Sequence, residues 1–177
     1  LKTEVSRADE VFIEHYKHTY DDPELPPIWA TCEVMSFGQL SKWYQLLAPI
    51  QTRKAISSHF DCDEKQFEGL LQHFVYLRNT CAHHSRIWNR KFTKTIAKPR
   101  SKPIGLRVQC NFEHSNSAER KIYNSLVFLL YFMDKIAPQH TWRKRLVDLL
   151  LTHHNISKTA MGFPEDWQSY PVWQIEP

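Results

Sequence analysis

The chain has no apolar run long enough to cross a bilayer. Its longest, Leu126 to Met133, falls well short of the roughly 20 residues that a spanning helix needs. No secretory leader is visible, so the protein is expected in the cytoplasm, away from membranes. Cysteine is scarce. Cys32, Cys62, Cys81 and Cys110 are widely spread, and no C-x-x-C pair occurs. That spacing argues against a disulfide framework and favours reduced, mostly buried thiols. There is no internal repeat and no low-complexity tract, and the alternating pattern of a half-buried strand is weak throughout. Net charge is also small: 23 Lys and Arg against 19 Asp and Glu leave +4. Such a balance admits a polyanionic partner without requiring one.

What is present is enough for a packed core. The 177 residues are 42% hydrophobic and 13% aromatic, the composition of a folded domain rather than of a disordered tail. The length fits one domain, residues 1–177. The chain opens on Leu1 directly into helix-like sequence, which reads as the C-terminal part of a longer protein.

Helical periodicity dominates. Ser6 reads as the N-cap of a helix to about Tyr20, broken by the three prolines of 23–27. Ile28 to Val34 reads as a second helix and Ser36-Phe37-Gly38 as a bend. Leu40, Trp43, Tyr44 and Leu47 follow i, i+3, i+4, i+7 spacing. Pro49 ends that helix or opens the next, Ile50 to Phe60. Asp61 or Asp63 caps a long helix to about Ile87, with Phe67, Leu70, Leu71, Phe74, Leu77 and Cys81 on one stripe. Lys91 to Glu113 reads as an irregular connection. Asn116 or Ser117 caps a helix to about Ile136, with Ile122, Leu126, Leu129, Leu130 and Met133 buried. Trp142 to His153 forms a last helix, with Leu146, Leu149 and Leu150 inward and Arg143, Lys144 and Arg145 outward. The aromatics and prolines from Met161 to Trp173 describe a tail pinned onto the body. The fold class is all-α, a bundle of five to seven helices.

The densest chemistry lies at Leu77-Arg78-Asn79-Thr80-Cys81-Ala82-His83-His84-Ser85-Arg86-Ile87-Trp88-Asn89-Arg90. Fourteen residues hold three arginines, two histidines, two asparagines and a tryptophan. Cleaving RNA without a metal needs a base for the 2′-hydroxyl proton, an acid for the leaving oxygen, and a cation for the charge growing on phosphoryl oxygen. Histidine suits the first two, with a free pKa near 6.5. Arginine suits the third, because its fork of donors matches phosphate. Arg78, Asn79 and His83 supply all three kinds of group, with no cofactor and no metal. One copy offers one base and one cation, so a site shared by two copies in a homodimer is expected. The bland reading of the same residues is a helix C-terminus, where cations meet the dipole. His84 and Arg86 read as RNA contacts or as core and surface residues. Trp88 reads first as packing and second as a stacking platform, and Asn89 first as a cap.

Arg78-Asn79-Thr80-Cys81-Ala82-His83 fits the R-x(4–6)-H motif of HEPN-superfamily ribonucleases. The wider stretch from Leu77 to Arg90 resembles the signature of bacterial abortive-infection proteins of the AbiD/AbiF type. So do Leu25-Pro26-Pro27-Ile28-Trp29, Glu33-Val34-Met35-Ser36-Phe37-Gly38-Gln39-Leu40-Ser41, and Met161-Gly162-Phe163-Pro164 with Trp167. The resemblance implies a HEPN-like helical fold, a part in bacteriophage defence, and RNA cleavage at a dimer interface. The motif's catalytic arginine and histidine fall on Arg78 and His83, with Asn79 as the polar follower. The alternative it leaves open is a non-catalytic module that holds a regulatory RNA or a partner protein.

Three further features have two readings each. Glu33, in an otherwise apolar helix, reads as a buried carboxylate paired with Arg78 or a neighbour. The His83-His84 and His153-His154 pairs together would offer four zinc ligands, though at no known zinc spacing. Arg143-Lys144-Arg145, with Lys91, Lys94, Lys98, Arg100 and Lys102, reads as solvated surface or as a track that steers RNA.

Overall fold

The computed structural model describes residues 1–100, 102–114 and 117–175. Those residues form nine α-helices and four 3₁₀ turns, with no strand among them. The helices are α1 (Lys2–Arg7), α2 (Val11–Thr19), α3 (Ile28–Glu33), α4 (Phe37–Leu46), α5 (Ile50–Ser58), α6 (Glu64–Ala82), α7 (Leu106–Gln109), α8 (Ile122–Ile136) and α9 (Trp142–Thr152). The all-α class holds. Six helices run nine residues or more, within the range read from the sequence, and α1, α3 and α7 are shorter pieces. No helix among the described residues is long and apolar enough to cross a membrane. The chain divides into two compact units, Leu1–Leu47 and the part from Ala48 onward.

In the first unit the helix expected from Ser6 to Tyr20 is two helices. Ser6 lies inside α1, where its hydroxyl donates to Thr3 O at 2.9 Å instead of capping. Glu10, in extended conformation, starts α2. In these two helices Val5 and Ile13 are the buried side chains, while Val11 is 81% exposed. The proline loop is held by Tyr16, whose hydroxyl donates to Pro23 O at 2.6 Å, and by buried Thr31, which donates to Pro26 O at 3.0 Å. Ser36 is no bend but the N-cap of α4. Its hydroxyl accepts from Gln39 N at 3.2 Å and its own N–H donates to Gln39 Oε1 at 2.7 Å. This reciprocal box satisfies two donors that a helix start leaves open.

The second unit is built around α8. Its residues 122–125, 127, 128, 130 and 132 are buried, so it is enclosed nearly all round. Leu126, Leu129 and Met133, expected inside, are only half-buried. The helix also starts later than expected: a 3₁₀ turn over Ala118–Arg120 precedes it, and Lys121 stands at its N-cap without a side-chain capping bond. Of the two caps proposed, Asn116 lies outside the described residues, and Ser117 has φ +59 in the left-handed region and makes no cap.

Asp63 caps α6, its carboxylate accepting from Gln66 N at 2.7 Å. The buried face of α6 is Gln66, Phe67, Leu70, His73, Phe74, Leu77 and Thr80. The expected stripe is thus rotated slightly: Leu71 is half-buried and Cys81 exposed. Phe132 of α8 meets Phe67 and Phe74 edge-on, with ring centroids at 6.0 and 5.7 Å. Three polar residues share this core because each finds partners. Gln66 Nε2 donates to Ala97 O at 3.0 Å. His73 Nδ1 lies 2.8 Å from Lys94 O and its Nε2 lies 2.7 Å from Ser125 Oγ. A carbonyl only accepts, so Nδ1 carries the proton and Nε2 accepts from the serine hydroxyl. Asn124 holds the backbone of Asn111 at both groups, accepting from its N–H at 2.8 Å and donating to its carbonyl at 2.7 Å.

The C-terminal tail is pinned as expected. Phe163, Trp167, Val172 and Trp173 are buried. Tyr123 of α8 packs on Phe163 at 4.7 Å and on Trp173 at 5.9 Å, and accepts from the Trp173 indole at 3.3 Å. Gly162 makes the turn into this cluster at φ +86, and a Cβ there would stand 2.7 Å from Lys121 Cβ. Both its conformation and its closeness to α8 therefore demand glycine. On α9, Val147 and Leu150 are buried, whereas Leu149 is 55% exposed. Arg143 does not face outward freely. It pairs with Asp134 and donates from Nε to Val172 O at 3.0 Å. The thiols are all free: Cys62 is buried, Cys32 and Cys110 are half-buried, and Cys81 is exposed. Burial pushes the Cys62 and Cys110 thiols up to about 12, which keeps them protonated and unreactive.

Burial lowers the pKa of His73 below its ordinary 6.5. The unfolded chain therefore binds a proton there at a pH where the folded chain does not. Stability is full above about pH 6.5 and falls as pH drops below that value. Urea midpoints measured from pH 7.5 to pH 5 are expected to decline, and the decline is expected to be shallower in His73→Asn.

Candidate functional site

The candidate residues sit where α6 stops. The helix ends at Ala82, five residues earlier than the sequence pattern implied. Its stop is a Schellman motif: His84 N donates to Cys81 O at 2.9 Å and Ser85 N to Thr80 O at 3.0 Å. The residue at the left-handed position is normally glycine. Here it is His84, at φ +51. A side chain in that conformation costs about 1–2 kcal/mol, although histidine tolerates it better than most.

This early stop sorts the cluster. Arg78 and Asn79 lie in the last two turns of the helix, and Arg78 Nη1 donates to Asn79 Oδ1 at 3.2 Å. His83 is the C-cap, its backbone N–H donating to Asn79 O at 3.0 Å. All three side chains are exposed, as are those of His84, Arg86, Trp88 and Asn89. The chain therefore presents Arg78, Asn79 and His83 to solvent at the end of a helix whose other face is core. Five residues of helix carry His83 about 140° round the axis and about 7.5 Å along it from Arg78. The two side chains do not stack on one another as an i, i+4 pair would.

The loop after the stop is tied down rather than loose. Tyr76 of α6 reaches Arg90 and Thr93. Burial opposes ionisation of its hydroxyl, but hydrogen bonds with those two residues outweigh it and lower the pKa. Phe92 packs on Tyr76 and His73 at 5.8 and 5.7 Å. Phe92 N also donates to Arg120 O at 2.7 Å, and Arg120 Nε returns a bond to Phe92 O at 3.0 Å. Asn89 is a second left-handed residue, at φ +52. Its carbonyl and side-chain oxygens accept from Lys121 Nζ at 3.3 and 2.6 Å. It does not cap α6, whose C-cap is His83, and instead it holds the Lys121 amine. Sequence reading missed Lys121 entirely, since nothing local marks a lysine at a helix start as buried. Burial first, then the nearby cations Lys91 and Arg86, lower the pKa of its amine. Three cations are thus crowded beside the exposed cluster.

The remaining site expectations fare differently. Glu33 is exposed, so its carboxylate bears no burial penalty and needs no partner. Among the described residues no group of three or more His, Cys, Asp or Glu side chains is placed to hold a metal ion. The two His-His pairs accordingly build no zinc site. The basic track is largely engaged with its own chain. Lys144 pairs with Asp148 at 2.7 Å, Lys102 with Asp61 at 3.7 Å, and Lys98 lies 5.7 Å over the Phe112 ring.

A family model described as Abi-like protein matches residues 1–89, half of the chain. The matched segment runs from before α1 through the helix stop to Asn89. No curated protein and no solved structure matches the chain.

Because His84 holds a conformation that glycine adopts freely, His84→Gly is expected to raise stability by about 1 kcal/mol. Chemical unfolding measures this. A lowered midpoint would show that the imidazole makes stabilising contacts greater than the backbone strain.

Proposed function

This chain belongs to the Abi-like protein family, and with that as its setting in abortive infection against phage we propose that it is a metal-independent endoribonuclease. The observation that carries the reading is the exposure of Arg78, Asn79 and His83 together at a rigidly terminated helix end. An arginine, an amide and an imidazole left open to solvent at the end of a helix whose other face is core make no side-chain contact with the rest of the fold among the contacts seen. The HEPN-type motif on the same residues gives them a chemical one.

In this reading the RNA 2′-hydroxyl attacks the adjacent phosphorus. His83 takes its proton. The P–O bond to the 5′ oxygen breaks, and that oxygen receives a proton from a second acid. The products are a 2′,3′-cyclic phosphate and a 5′-hydroxyl. The Arg78 guanidinium neutralises charge on the phosphoryl oxygens, and Asn79, already hydrogen-bonded to Arg78, orients it. The wide angle between Arg78 and His83 on one helix favours a composite site. Two copies facing across a two-fold axis bring one subunit's imidazole toward the other's guanidinium, and the second His83 serves as the acid.

The test is incubation of purified protein with mixed RNA in excess EDTA, beside His83→Ala. The parent is expected to yield cyclic-phosphate ends. The variant is expected to lose at least about 100-fold in rate, with its stability changed by less than about 0.5 kcal/mol because the side chain is exposed. RNA bound tightly by both proteins and cut by neither would assign the cluster to a non-catalytic RNA-binding module instead.

A further inference from the structure

Trp88 borders a groove of about 740 Å³ whose apolar walls are Leu149, Leu150, Ile156 and Met161. Its volume lies in the range of sites that hold small organic groups. Three large apolar side chains stay open around it: Leu149 is 55% exposed, Trp88 41% and Ile156 40%. Leu149 in particular has the helical spacing of an inward residue yet faces this space.

The surroundings are cationic. Lys158 belongs to the lining, its amine donating to His153 O at 2.8 Å, and no aspartate or glutamate does among the described residues. Arg86, two residues before Trp88, and Lys91, three after it, both lie close to Lys121. The stem of Lys121 packs against Gly162, the residue that follows Met161 of the groove. An apolar slot with an aromatic wall, beside a crowd of cations, is the combination that receives an unstacked base while its phosphates stay among the cations. An apolar protein helix would have use for the slot but not for the cations.

Resting on the ribonuclease reading, we infer that this groove is a nucleobase subsite, which takes an unpaired base of the RNA close to the scissile phosphate and restricts the enzyme to single-stranded substrate. Trp88 follows His83 by five residues, at most about 18 Å of extended chain. The captured base thus belongs to a nucleotide near the bond that is cut. The indole supplies the stacking face, Leu149 and Ile156 cover the edges of the base, and Arg86 and Lys91 hold the flanking phosphates.

The experiment uses fluorescein-labelled ten-nucleotide 2′-O-methyl RNA, which can bind but cannot be cleaved, with fluorescence anisotropy as the readout. The parent is expected to bind the single strand better than the corresponding duplex. Trp88→Ala is expected to weaken single-strand binding by about 5- to 100-fold, and Trp88→Phe to keep most of it. Abasic substitution in the probe is expected to weaken binding by the parent and to have little further effect on Trp88→Ala. Leu149→Lys, at an exposed position that does not endanger the fold, separates stacking from charge. It weakens binding if a base enters the groove and strengthens it if only phosphates are held. Equal affinity of parent and Trp88→Ala, stronger binding by Leu149→Lys, or no binding by the parent at low salt would each overturn the proposal. A groove that takes a protein helix instead would give the first of these results. Cleavage of unmodified RNA in EDTA is scored separately, so loss of the subsite and loss of the ribonuclease reading are told apart.

Discussion

The hydrogen bond between His73 Nε2 and Ser125 Oγ, shut away from water, governs how the larger unit is assembled. An imidazole buried without partners would cost more than its ring contacts return. Its two nitrogens therefore demand two particular neighbours, the hydroxyl on α8 and the carbonyl of Lys94. Apolar rings around it tolerate small slides of one helix along another, and a two-ended polar contact does not. α6 is thereby held in one register on α8, and the connection through Lys94 is held against both. The end of α6, with everything it displays, inherits its position from that contact.

The same logic recurs where α8 meets the rest. Asn124 treats the backbone of Asn111 as a neighbouring strand would, filling its donor and its acceptor together. Asn111 then passes a bond from its side chain to Gly162 O at 3.0 Å. Tyr123, one residue earlier, joins the connection and the tail by donating to Gln109 O at 2.7 Å and accepting from Trp173. Three consecutive residues, Tyr123 to Ser125, thus reach three separate segments with polar atoms set in an apolar shell. The described residues between Lys91 and Glu113 are held through such bonds and through buried Phe92, Ile96, Pro99, Pro103 and Leu106, although α7 is the one helix among them.

Much of this was legible from residue order. The helical period placed α4, α6, α8 and α9 because burial of one face leaves a mark every three or four residues. Prolines marked the break after α2 and the start of α5. The aromatic tail declared its own attachment. Helix ends were less legible. The stop at Ala82 depends on His84 entering a conformation that sequence assigns to glycine, and periodicity alone carried the helix on to Ile87. Inward and outward positions on α9 were confused because Arg143 is recruited by Asp134 and by the tail carbonyl, neither of which is near in sequence. Lys121 was invisible for the same reason, its partner Asn89 lying 32 residues away. In the candidate site, the residues themselves stood out as a cluster, and helical geometry already set Arg78 and His83 apart round the axis, whereas their exposure followed only once the helix end was known. The family model reaches as far as Asn89, so α8 and the tail that support the site lie beyond the matched segment.

Trp173 fills the space beside Tyr123 from a position 50 residues further along the chain. During synthesis, α8 therefore emerges with its aromatic face uncovered, and it remains so until Trp173 has been added. At about 5–20 residues per second that interval lasts several seconds. The larger unit can complete its interior only once Trp173 has been made.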